Sequence, residues 1–475
     1  MQRAMSRTAP LVQLVKRGLR ARYVRTFLPF TFLFLVTFQI FDIDPVDFTP
    51  LLISQINKKI VLATKFYGYK SWNLTGFASD HSSSLSIFTR LQCPISTCSL
   101  YFTPFDPYVT QNLDADAAIF HARDLPSPSS SHPLKQPSQK WVFLTLETPF
   151  HTGIPLSEHG SLLELIDWTS TYTSDSDIPA LYGKYDKFPT ESKDKVHIRK
   201  LVDKFMRRKG LVAHLVSNCK TPNNRHRYSN ALKRHLLTSS SAANLNFVFG
   251  NFGKCTMWHS KPIPCSLTDG SCLKNIAKDY QFLLTFENSL CREYITEKFW
   301  WNALQHGLIP IVMGGRKADY EAYAPPNSFI HVDDFNNSTI LAEYLIRLSK
   351  DPVEIRKYLR WKYQGKATSM IQGTDLNTSP YWCNLCAALH SPHPPKKNDK
   401  DIMKWWSVEE QCPDREDIPW MDLQDLQLKL HAADAVIGRP RITGHRPEAA
   451  AASQPGQSIE AMALSAGGQQ FLFGQ

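Results

Sequence analysis

The 475-residue sequence has no internal repeat and no acidic residue among its first 26 positions. The first absence excludes an array of stacked repeat units. The second accounts for much of the net charge of +11, because seven of these positive charges lie in segment 1–26. A charge excess that is concentrated in a tail is not a binding face, so the composition does not indicate a nucleic-acid-binding protein.

Charge is also absent from residues 27–41, FLPFTFLFLVTFQIF. The length of this segment is near the lower limit for a membrane-spanning helix. A cleaved signal peptide is the alternative, but the bulky residues from Phe38 to Phe41 offer no small-residue cleavage site. Because the basic residues precede the segment, it predicts an uncleaved anchor with a cytoplasmic N terminus and a lumenal bulk. A short span suits the thin membranes of the early secretory pathway.

Two further features agree with a lumenal location. N-glycosylation triplets occur at Asn73, Asn336, Asn337 and Asn377, although Pro380 follows the last of them. Such triplets also arise by chance, so each is weak evidence alone. The ten cysteines suit an oxidising compartment, with buried free thiols as the alternative.

The stretch 280–315, YQFLLTFENSLCREYITEKFWWNALQHGLIPIVMGG, predicts a strand, a polar loop, a helix and a second strand. Residues 282–286 and 308–313 are apolar runs of strand length, and apolar residues between them recur at helical spacing. Gly307 ends the predicted helix. A strand–helix–strand unit of this kind favours a parallel sheet, whose ligands lie beyond the carboxyl ends of the strands.

Four side chains would cluster at that edge, around the N terminus of the predicted helix: Asn288, Tyr294, Glu297 and Lys298. A helix N terminus and a lysine attract phosphate, and a carboxylate can accept hydrogen bonds from ribose hydroxyls. The grouping therefore suits a nucleotide diphosphate sugar. From spacing alone, Glu297 and Lys298 are equally compatible with an ordinary solvated helix face.

The region before this stretch predicts more strands, at 117–120, 141–146 and 211–216, and an amphipathic basic helix at 197–208. Glu147 follows the second of these strands. The third strand leads through SNCKTPNNRHRY, a polar turn, into another helix. No internal feature so far distinguishes Glu147 from a loop carboxylate.

Two motifs resemble metal sites. Asp175 and Asp177 have the D-x-D spacing of metal-dependent glycosyltransferases, and Cys383 and Cys386 could form half of a zinc site. No second C-x-x-C or histidine pair accompanies the cysteines, so a disulfide is the better interpretation.

The stretch FENS…YITEKFW and its continuation RKADYEAYAPPNSFIHVDDF, residues 316–335, resemble the signature of family 10 glycosyltransferases, the α1,3/4-fucosyltransferases. The similarity extends over about 139–386. It implies an α/β protein of the GT-B fold, with two facing Rossmann-like domains. It also implies GDP-fucose as the donor substrate, no tightly bound cofactor, and diphosphate handled by basic residues. On this basis Asp175 and Asp177 are interpreted as structural and no metal ligand is predicted, although a divalent ion (Mn or Mg) could stimulate activity.

The resemblance gives roles to individual residues. Glu147, in LETP, corresponds to the catalytic base of an inverting transfer. Ser217, Asn218 and Arg225 look like a second donor-binding segment in which Arg225 contacts phosphate, with Arg227 as the fallback. A further position corresponds to a tyrosine that faces the donor: Tyr182. The nucleotide site is completed by the four residues of the helix N terminus: Asn288, Tyr294, Glu297 and Lys298.

The sequence departs from the family at Cys291, where His or Lys is common, and at Leu283, which is often Tyr. The family also implies that Cys93 pairs with Cys383 and Cys98 with Cys386. The short CPISTC spacing leaves a local bridge between Cys93 and Cys98 as the alternative.

The predicted organisation runs from the anchor to a disordered tail. The segments are a cytoplasmic tail (1–26), an anchor (27–43), a stem (44–59), an acceptor-side domain (60–208), a donor-binding domain (209–372), a Cys- and Trp-containing segment (373–429) and a disordered tail (430–475).

The predicted function is transfer of L-fucose, with inversion, to the 3-hydroxyl of N-acetylglucosamine in a Golgi membrane protein of type II topology. DIMKWW followed by Cys412 resembles the invertebrate enzymes that act on the innermost N-acetylglucosamine of N-glycans. The alternatives are a Lewis-type enzyme that acts on outer antennae and an inactive membrane-bound glycan-binding relative. The expected partners are GDP-fucose, an N-glycan on a glycoprotein and the membrane, with no nucleic acid.

Overall fold

The structure, a computed structural model, describes residues 56–69, 72, 74, 86–102, 115–126, 135–152, 156–190, 195–239, 247–256, 261–265, 270–373, 375–396 and 400–413. The predicted anchor (27–43), the segment predicted to be a disordered tail (430–475) and the triplet at Asn73 lie outside these residues. Within them, no helix has the length and apolar character needed to cross a membrane.

Twelve strands are present in the described residues, and their bounds are as follows: β1 (Lys58–Leu62), β2 (Cys98–Phe102), β3 (Ala117–His121), β4 (Lys140–Leu144), β5 (Trp168–Ser170), β6 (Gly183–Lys187), β7 (Gly210–Val216), β8 (Phe247–Gly253), β9 (Tyr280–Phe286), β10 (Ile309–Met313), β11 (Ile330–His331) and β12 (Gly365–Ser369).

These strands form two five-stranded sheets and one two-stranded ribbon. The first sheet has the order β2-β1-β3-β4-β5 and the second has the order β11-β10-β9-β7-β8. Every pairing within both sheets is parallel. Strands β3, β9 and β10 are buried along their whole length, as expected for parallel strands that are covered on both faces. The mixed α/β class and the predicted pairing of β9 with β10 are confirmed.

The described residues also contain helices, several of which lie, in chain order, between the strands of the two sheets and five of which follow β11, before or after β12, in the C-terminal part. Their bounds are Ile87–Arg90, Gly160–Leu163, Lys195–Met206, Arg225–Thr238, Ser271–Asp279, Lys298–Gln305, Lys317–Tyr323, Ser338–Leu348, Pro352–Leu359, Tyr381–His390, Ile402–Trp405 and Val408–Gln411.

The helix Lys298–Gln305 connects β9 to β10 and is wound with the wider π spacing. Its buried face packs on the sheet through Phe299 and Ala303, as the apolar spacing predicts. Gly307 ends it with φ of 71°, a left-handed conformation that glycine adopts without a steric penalty. Single π turns occur often at functional sites, and this one begins at the predicted site residue Lys298.

The two halves of the chain are joined at several places. Strand β6, from the first half, pairs antiparallel with β12, from the second half. The helix Tyr381–His390 returns to the first sheet, where Cys383 bonds Cys93 and Cys386 bonds Cys98. The predicted disulfide pairing between the early and late parts of the chain is therefore confirmed, and the local Cys93–Cys98 bridge is excluded. Both sheets belong to one compact unit that begins at Asn57, and the predicted domain boundaries stay a prediction.

All ten cysteines form disulfides, so none is a free thiol. Three bridges were not anticipated from the sequence: Cys219–Cys255, Cys265–Cys272 and Cys291–Cys412. Cys98 and Cys386 lie close to the His390 ring, but their disulfide leaves them no thiolate with which to bind zinc.

Candidate functional site

The carboxyl ends of the two sheets meet at Glu147 and Asn288. Glu147 follows β4 of the first sheet, and Asn288 follows β9 of the second. The Asn288 amide donates a hydrogen bond of 3.2 Å from Nδ2 to Oε2 of Glu147. Because ligands of parallel sheets bind beyond the carboxyl ends of the strands, this contact marks the place where a substrate would lie.

A second donor reaches the same carboxylate oxygen. The Tyr294 hydroxyl, which is itself buried, lies 2.9 Å from Oε2 of Glu147. Among the residues that the structure describes, both hydrogen bonds to this carboxylate use Oε2 and leave Oε1 free to accept a proton. A carboxylate that is oriented by two hydrogen bonds to one oxygen, with the other oxygen free, suits a general base.

The segment around Glu147 is held by its neighbours on both sides. The Tyr182 hydroxyl donates a 2.9 Å hydrogen bond to the Leu146 carbonyl. On the other side, Thr148 Oγ1 lies 3.1 Å from Ser289 Oγ, and both hydroxyl groups are buried. The structure thus places Tyr182 beside the candidate base, where it orients the backbone, and its predicted contact with the donor stays a prediction.

Arg225 begins the helix Arg225–Thr238 and is almost completely buried. Its guanidinium donates to the Phe286 carbonyl at 2.5 Å and to the Asn218 carbonyl at 3.1 Å. Its Nε has no hydrogen-bond partner among the described residues. A buried guanidinium with an unused donor at the carboxyl end of β9 provides fixed positive charge for an anion.

Lys298 supplies the second cation. Its ammonium lies 3.0 Å from Oε2 of Glu287, 3.4 Å from Oε1 of Glu297 and 3.0 Å from Oγ1 of Thr296. Burial opposes the charge, but Glu287 and Glu297 together raise the pKa of Lys298 above its usual value. The ammonium therefore stays charged throughout the neutral range, as binding to a diphosphate requires.

Glu287 was not predicted as a site residue, although it lies within the FENS motif. Its carboxylate is fully buried and accepts hydrogen bonds of 2.9 Å from the amide and the hydroxyl of Thr296. Burial raises the pKa of Glu287, and the Lys298 ammonium opposes this shift. The polarity of the residue in an otherwise apolar strand end was the signal that could have identified it.

Ser217 and Asn218 are exposed on the loop that follows β7, near Arg225. The bridge from Cys219 to Cys255 fixes this loop to the end of β8. Arg227, the fallback for Arg225, is exposed and lines a separate surface pocket with Lys220 and Arg234. The structure therefore brings Arg225, and not Arg227, to the strand end that leads to Asn288.

Two residues close to Glu147 were missed. Tyr67 lies in the loop after β1 with φ of 51°, a strained conformation for an aromatic residue that points to a functional constraint. Burial and, next, the Glu147 carboxylate raise the pKa of Tyr67 well above its usual value. His151 lies four residues after Glu147, and burial lowers the pKa of His151 against the influence of that carboxylate. The F-Y-G turn was the available signal for Tyr67.

The D-x-D aspartates are both engaged by protein groups. Asp177 accepts hydrogen bonds from the amide and the hydroxyl of Thr169, at 2.8 Å and 2.7 Å. Asp175 accepts from Arg292 at 2.9 Å and from the Trp405 indole at 3.1 Å. These contacts give both residues a structural role.

A parallel α/β fold with a carboxylate, a buried arginine and a partly buried lysine at the meeting strand ends is typical of the glycosyltransferase class. Comparison with protein families gives the particular assignment. Residues 57–183 match the model "Fucosyltransferase, N-terminal", and residues 205–405 match "Glycosyltransferase family 10 (fucosyltransferase) C-term". The chain belongs to glycosyltransferase family 10, the fucosyltransferases.

Known proteins similar to the chain agree with this family. It is 33% identical over 361 residues to glycoprotein 3-alpha-L-fucosyltransferase A of Drosophila melanogaster, covering 74% of this chain and 61% of that protein. It is 34% identical over 275 residues to alpha-(1,3)-fucosyltransferase 4 of Mus musculus, covering 57% and 56%. The chain thus spans about three fifths of these relatives. A solved α1,3-fucosyltransferase with GDP-fucose matches at 17% identity and a TM-score of 0.40, covering 74% of this chain and 100% of the solved one.

Proposed function

We propose that the chain transfers L-fucose from GDP-fucose, with inversion, to the 3-hydroxyl of N-acetylglucosamine. The observation that carries the proposal is the position of Glu147, which is held by Asn288 and Tyr294 where the two parallel sheets meet. Arg225 and Lys298 supply positive charge at the same strand ends. The family membership supports the donor, and the proposed architecture is the GT-B fold with two facing domains.

In this mechanism, Oε1 of Glu147 removes the proton from the acceptor 3-hydroxyl as its oxygen attacks the anomeric carbon of fucose. The new carbon–oxygen bond forms while the bond to the β-phosphate breaks on the opposite face, and GDP leaves with the bonding electrons. Arg225 and Lys298 stabilise the charge that develops on the diphosphate. One displacement inverts the anomeric centre, so no covalent enzyme intermediate is needed.

The proposed acceptor is the innermost N-acetylglucosamine of N-glycans. The Drosophila relative, which aligns over 361 residues, is named for action on glycoproteins. The segment from DIMKWW to Cys412 resembles invertebrate enzymes of this kind. A disulfide joins it to Cys291, in the loop that follows β9. A Lewis-type enzyme that fucosylates outer antennae is the second candidate, because the mouse alpha-(1,3)-fucosyltransferase 4 aligns over 275 residues.

An inactive glycan-binding relative would not need a base and two cations at the same strand ends, and their joint presence argues against it.

The proposed location is the Golgi membrane, in type II orientation with the catalytic part in the lumen. This location rests on the uncharged segment 27–41 and on the basic residues before it.

The test uses the full-length protein in detergent, with GDP-fucose and a panel of defined N-glycans. The expected product carries fucose α1,3-linked to the innermost N-acetylglucosamine, as determined by linkage analysis. Fucose found only on antennae would support the Lewis-type alternative, and no product from any glycan would refute fucosyl transfer. Parallel assays with Mn²⁺, Mg²⁺ or a chelator measure the metal response, and Glu147→Gln provides the matched inactive control.

A further inference from the structure

Residues 400–412, here called the C-terminal strap, contain the two short helices Ile402–Trp405 and Val408–Gln411. A disulfide and hydrogen bonds from Arg292 join the end of the strap to the loop that follows β9. Cys412 forms a disulfide with Cys291, and the Arg292 amide donates a 2.7 Å hydrogen bond to the Gln411 carbonyl. Cys291 is therefore an attachment point for the strap.

The beginning of the strap is attached to the first half of the chain. The Trp405 indole donates to Oδ2 of Asp175 at 3.1 Å, and the Lys400 ammonium donates to the Asp175 carbonyl. The same carboxylate oxygen accepts a 2.9 Å hydrogen bond from Arg292. Asp175 thus connects the strap, the segment after β5 and the loop after β9.

Between these two attachments, Trp406 is buried and contacts aromatic residues that lead to Glu147. Its ring meets the Tyr172 ring edge-on, with centroids 5.4 Å apart. The Tyr172 ring packs against the Tyr294 ring, with centroids 4.7 Å apart. The Tyr294 hydroxyl then donates its 2.9 Å hydrogen bond to Glu147.

We propose that Trp406 is a positioning residue for Glu147 and acts through Tyr172 and Tyr294. The inference rests on the proposed role of Glu147 as the base. Interiors are closely packed, so three buried rings in contact restrict Tyr294 to one rotamer and fix its hydroxyl against Oε2. A displacement of about 1 Å at a reacting group costs about 100-fold in rate, so a residue that fixes the position of Glu147 affects kcat.

Substitution of Trp406 tests the ring contact with Tyr172 without the loss of a hydrogen bond. Its indole nitrogen is buried and has no hydrogen-bond partner among the described residues. Trp406→Phe therefore loses no hydrogen bond and keeps an aromatic ring beside Tyr172, whereas Trp406→Leu removes the ring contact. The conservative variant should restore what the leucine variant loses.

The kinetic test compares Trp406→Leu, Trp406→Phe and Tyr294→Phe with the full-length wild type. Trp406→Leu should lower kcat about tenfold or more and change the affinity for GDP less than about twofold, because only base positioning is affected. Trp406→Phe should lie within about threefold of wild type. In the Trp406→Leu/Tyr294→Phe double variant, the losses should not multiply, because both changes remove the same restraint.

Trp361→Leu is the matched control, since Trp361 is also buried but its ring packs against Tyr185, and among the described residues no ring contact joins it to Tyr172 or Tyr294. It should lower the melting temperature and leave kcat unchanged. Multiplying losses in the double variant, or an equal fall in kcat for Trp361→Leu, would overturn the inference.

A second measurement does not depend on turnover. With 3-fluorotyrosine at position 294, fluorine NMR should give one sharp resonance for the wild type and a shifted or broadened one for Trp406→Leu. An unchanged resonance refutes the positioning role even if the wild type transfers no fucose. Absence of transfer by the wild type, by contrast, refutes the proposed function, and the two failures remain distinguishable.

Discussion

Thr148 and Ser289 join the two sheets through a buried hydrogen bond of 3.1 Å between their hydroxyl groups. Thr148 is the direct neighbour of Glu147, and Ser289 is the direct neighbour of Asn288. The bonded pair therefore fixes the distance between the candidate base and the loop that follows β9. Catalytic groups that are held in place in advance need less reorganisation during reaction.

Glu147→Gln should retain affinity for GDP-fucose and lose turnover. The amide keeps the size of the side chain, and it cannot accept the acceptor proton. A positioned base contributes about 100-fold or more in rate, so kcat should fall by at least that factor. Donor affinity by calorimetry and transfer by product linkage check the two parts. A variant with more than about a tenth of the wild-type kcat would exclude Glu147 as the base.

Lys298→Met should weaken binding of GDP by about tenfold or more, because a charge-assisted contact contributes roughly 1.5–3 kcal/mol. Guanosine affinity should change little, since guanosine carries no phosphate. Lys357→Met is the matched control, because that exposed ammonium pairs with Glu354 on the helix Pro352–Leu359. Calorimetry with both ligands decides, and equal losses for GDP and guanosine would contradict the assignment of Lys298.

Arg225→Gln should lower both GDP affinity and the melting temperature. The guanidinium donates to the buried Phe286 carbonyl, so its loss leaves that acceptor without this donor at a cost of about 1–3 kcal/mol. Arg227→Gln should leave the melting temperature unchanged, because that side chain is exposed. Thermal unfolding with and without GDP measures both effects. If Arg227→Gln gave the larger loss of GDP affinity, the donor role would pass to Arg227.

The double variant Cys291→Ser/Cys412→Ser should lower the free energy of unfolding by about 2–4 kcal/mol. This disulfide joins residues 121 positions apart, and a cross-link that closes a long loop removes the most conformational entropy from the unfolded chain. Cys265→Ser/Cys272→Ser, whose partners are 7 residues apart, is the control and should cost less. Urea unfolding compares the two, and the chain-entropy argument fails if the short loop costs more.

Removal of residues 1–41 should give a secreted, soluble protein when a cleavable signal is supplied. These residues contain the uncharged segment and the basic tail before it, which are the basis for the predicted anchor. N-terminal sequencing of the wild-type protein provides the complementary observation. A mature N terminus directly after residue 41 would identify the segment as a signal peptide.

The strands of the site were predictable because parallel strands leave long apolar runs in the sequence. Residues 282–286 and 308–313 predicted β9 and β10 almost to their ends. Glu147 was identified differently, through the resemblance, since a carboxylate after a strand has no signature of its own. Its contact with Tyr294 was not predictable, because the hydrogen bond joins groups 147 positions apart in the chain.

Side-chain partners were the least predictable part. Tyr182 and Tyr294 were both assigned to the donor, but the structure turns their hydroxyl groups toward the Leu146 carbonyl and the Glu147 carboxylate. Residue type and position in a loop do not determine which of several nearby acceptors a hydroxyl reaches. The Cys291–Cys412 bridge was missed for the same reason, since two cysteines without a spacing motif have no predictable partner.

The paired bridges Cys93–Cys383 and Cys98–Cys386 also impose an order on biosynthesis. Cys93 and Cys98 leave the ribosome about 290 residues before their partners, and they lie close enough in the chain to bond each other meanwhile. Any such early bond must be exchanged by thiol attack when the helix Tyr381–His390 arrives. Maturation of the first sheet therefore waits for nearly the last part of the described chain, and a nascent chain stopped before residue 383 cannot complete it.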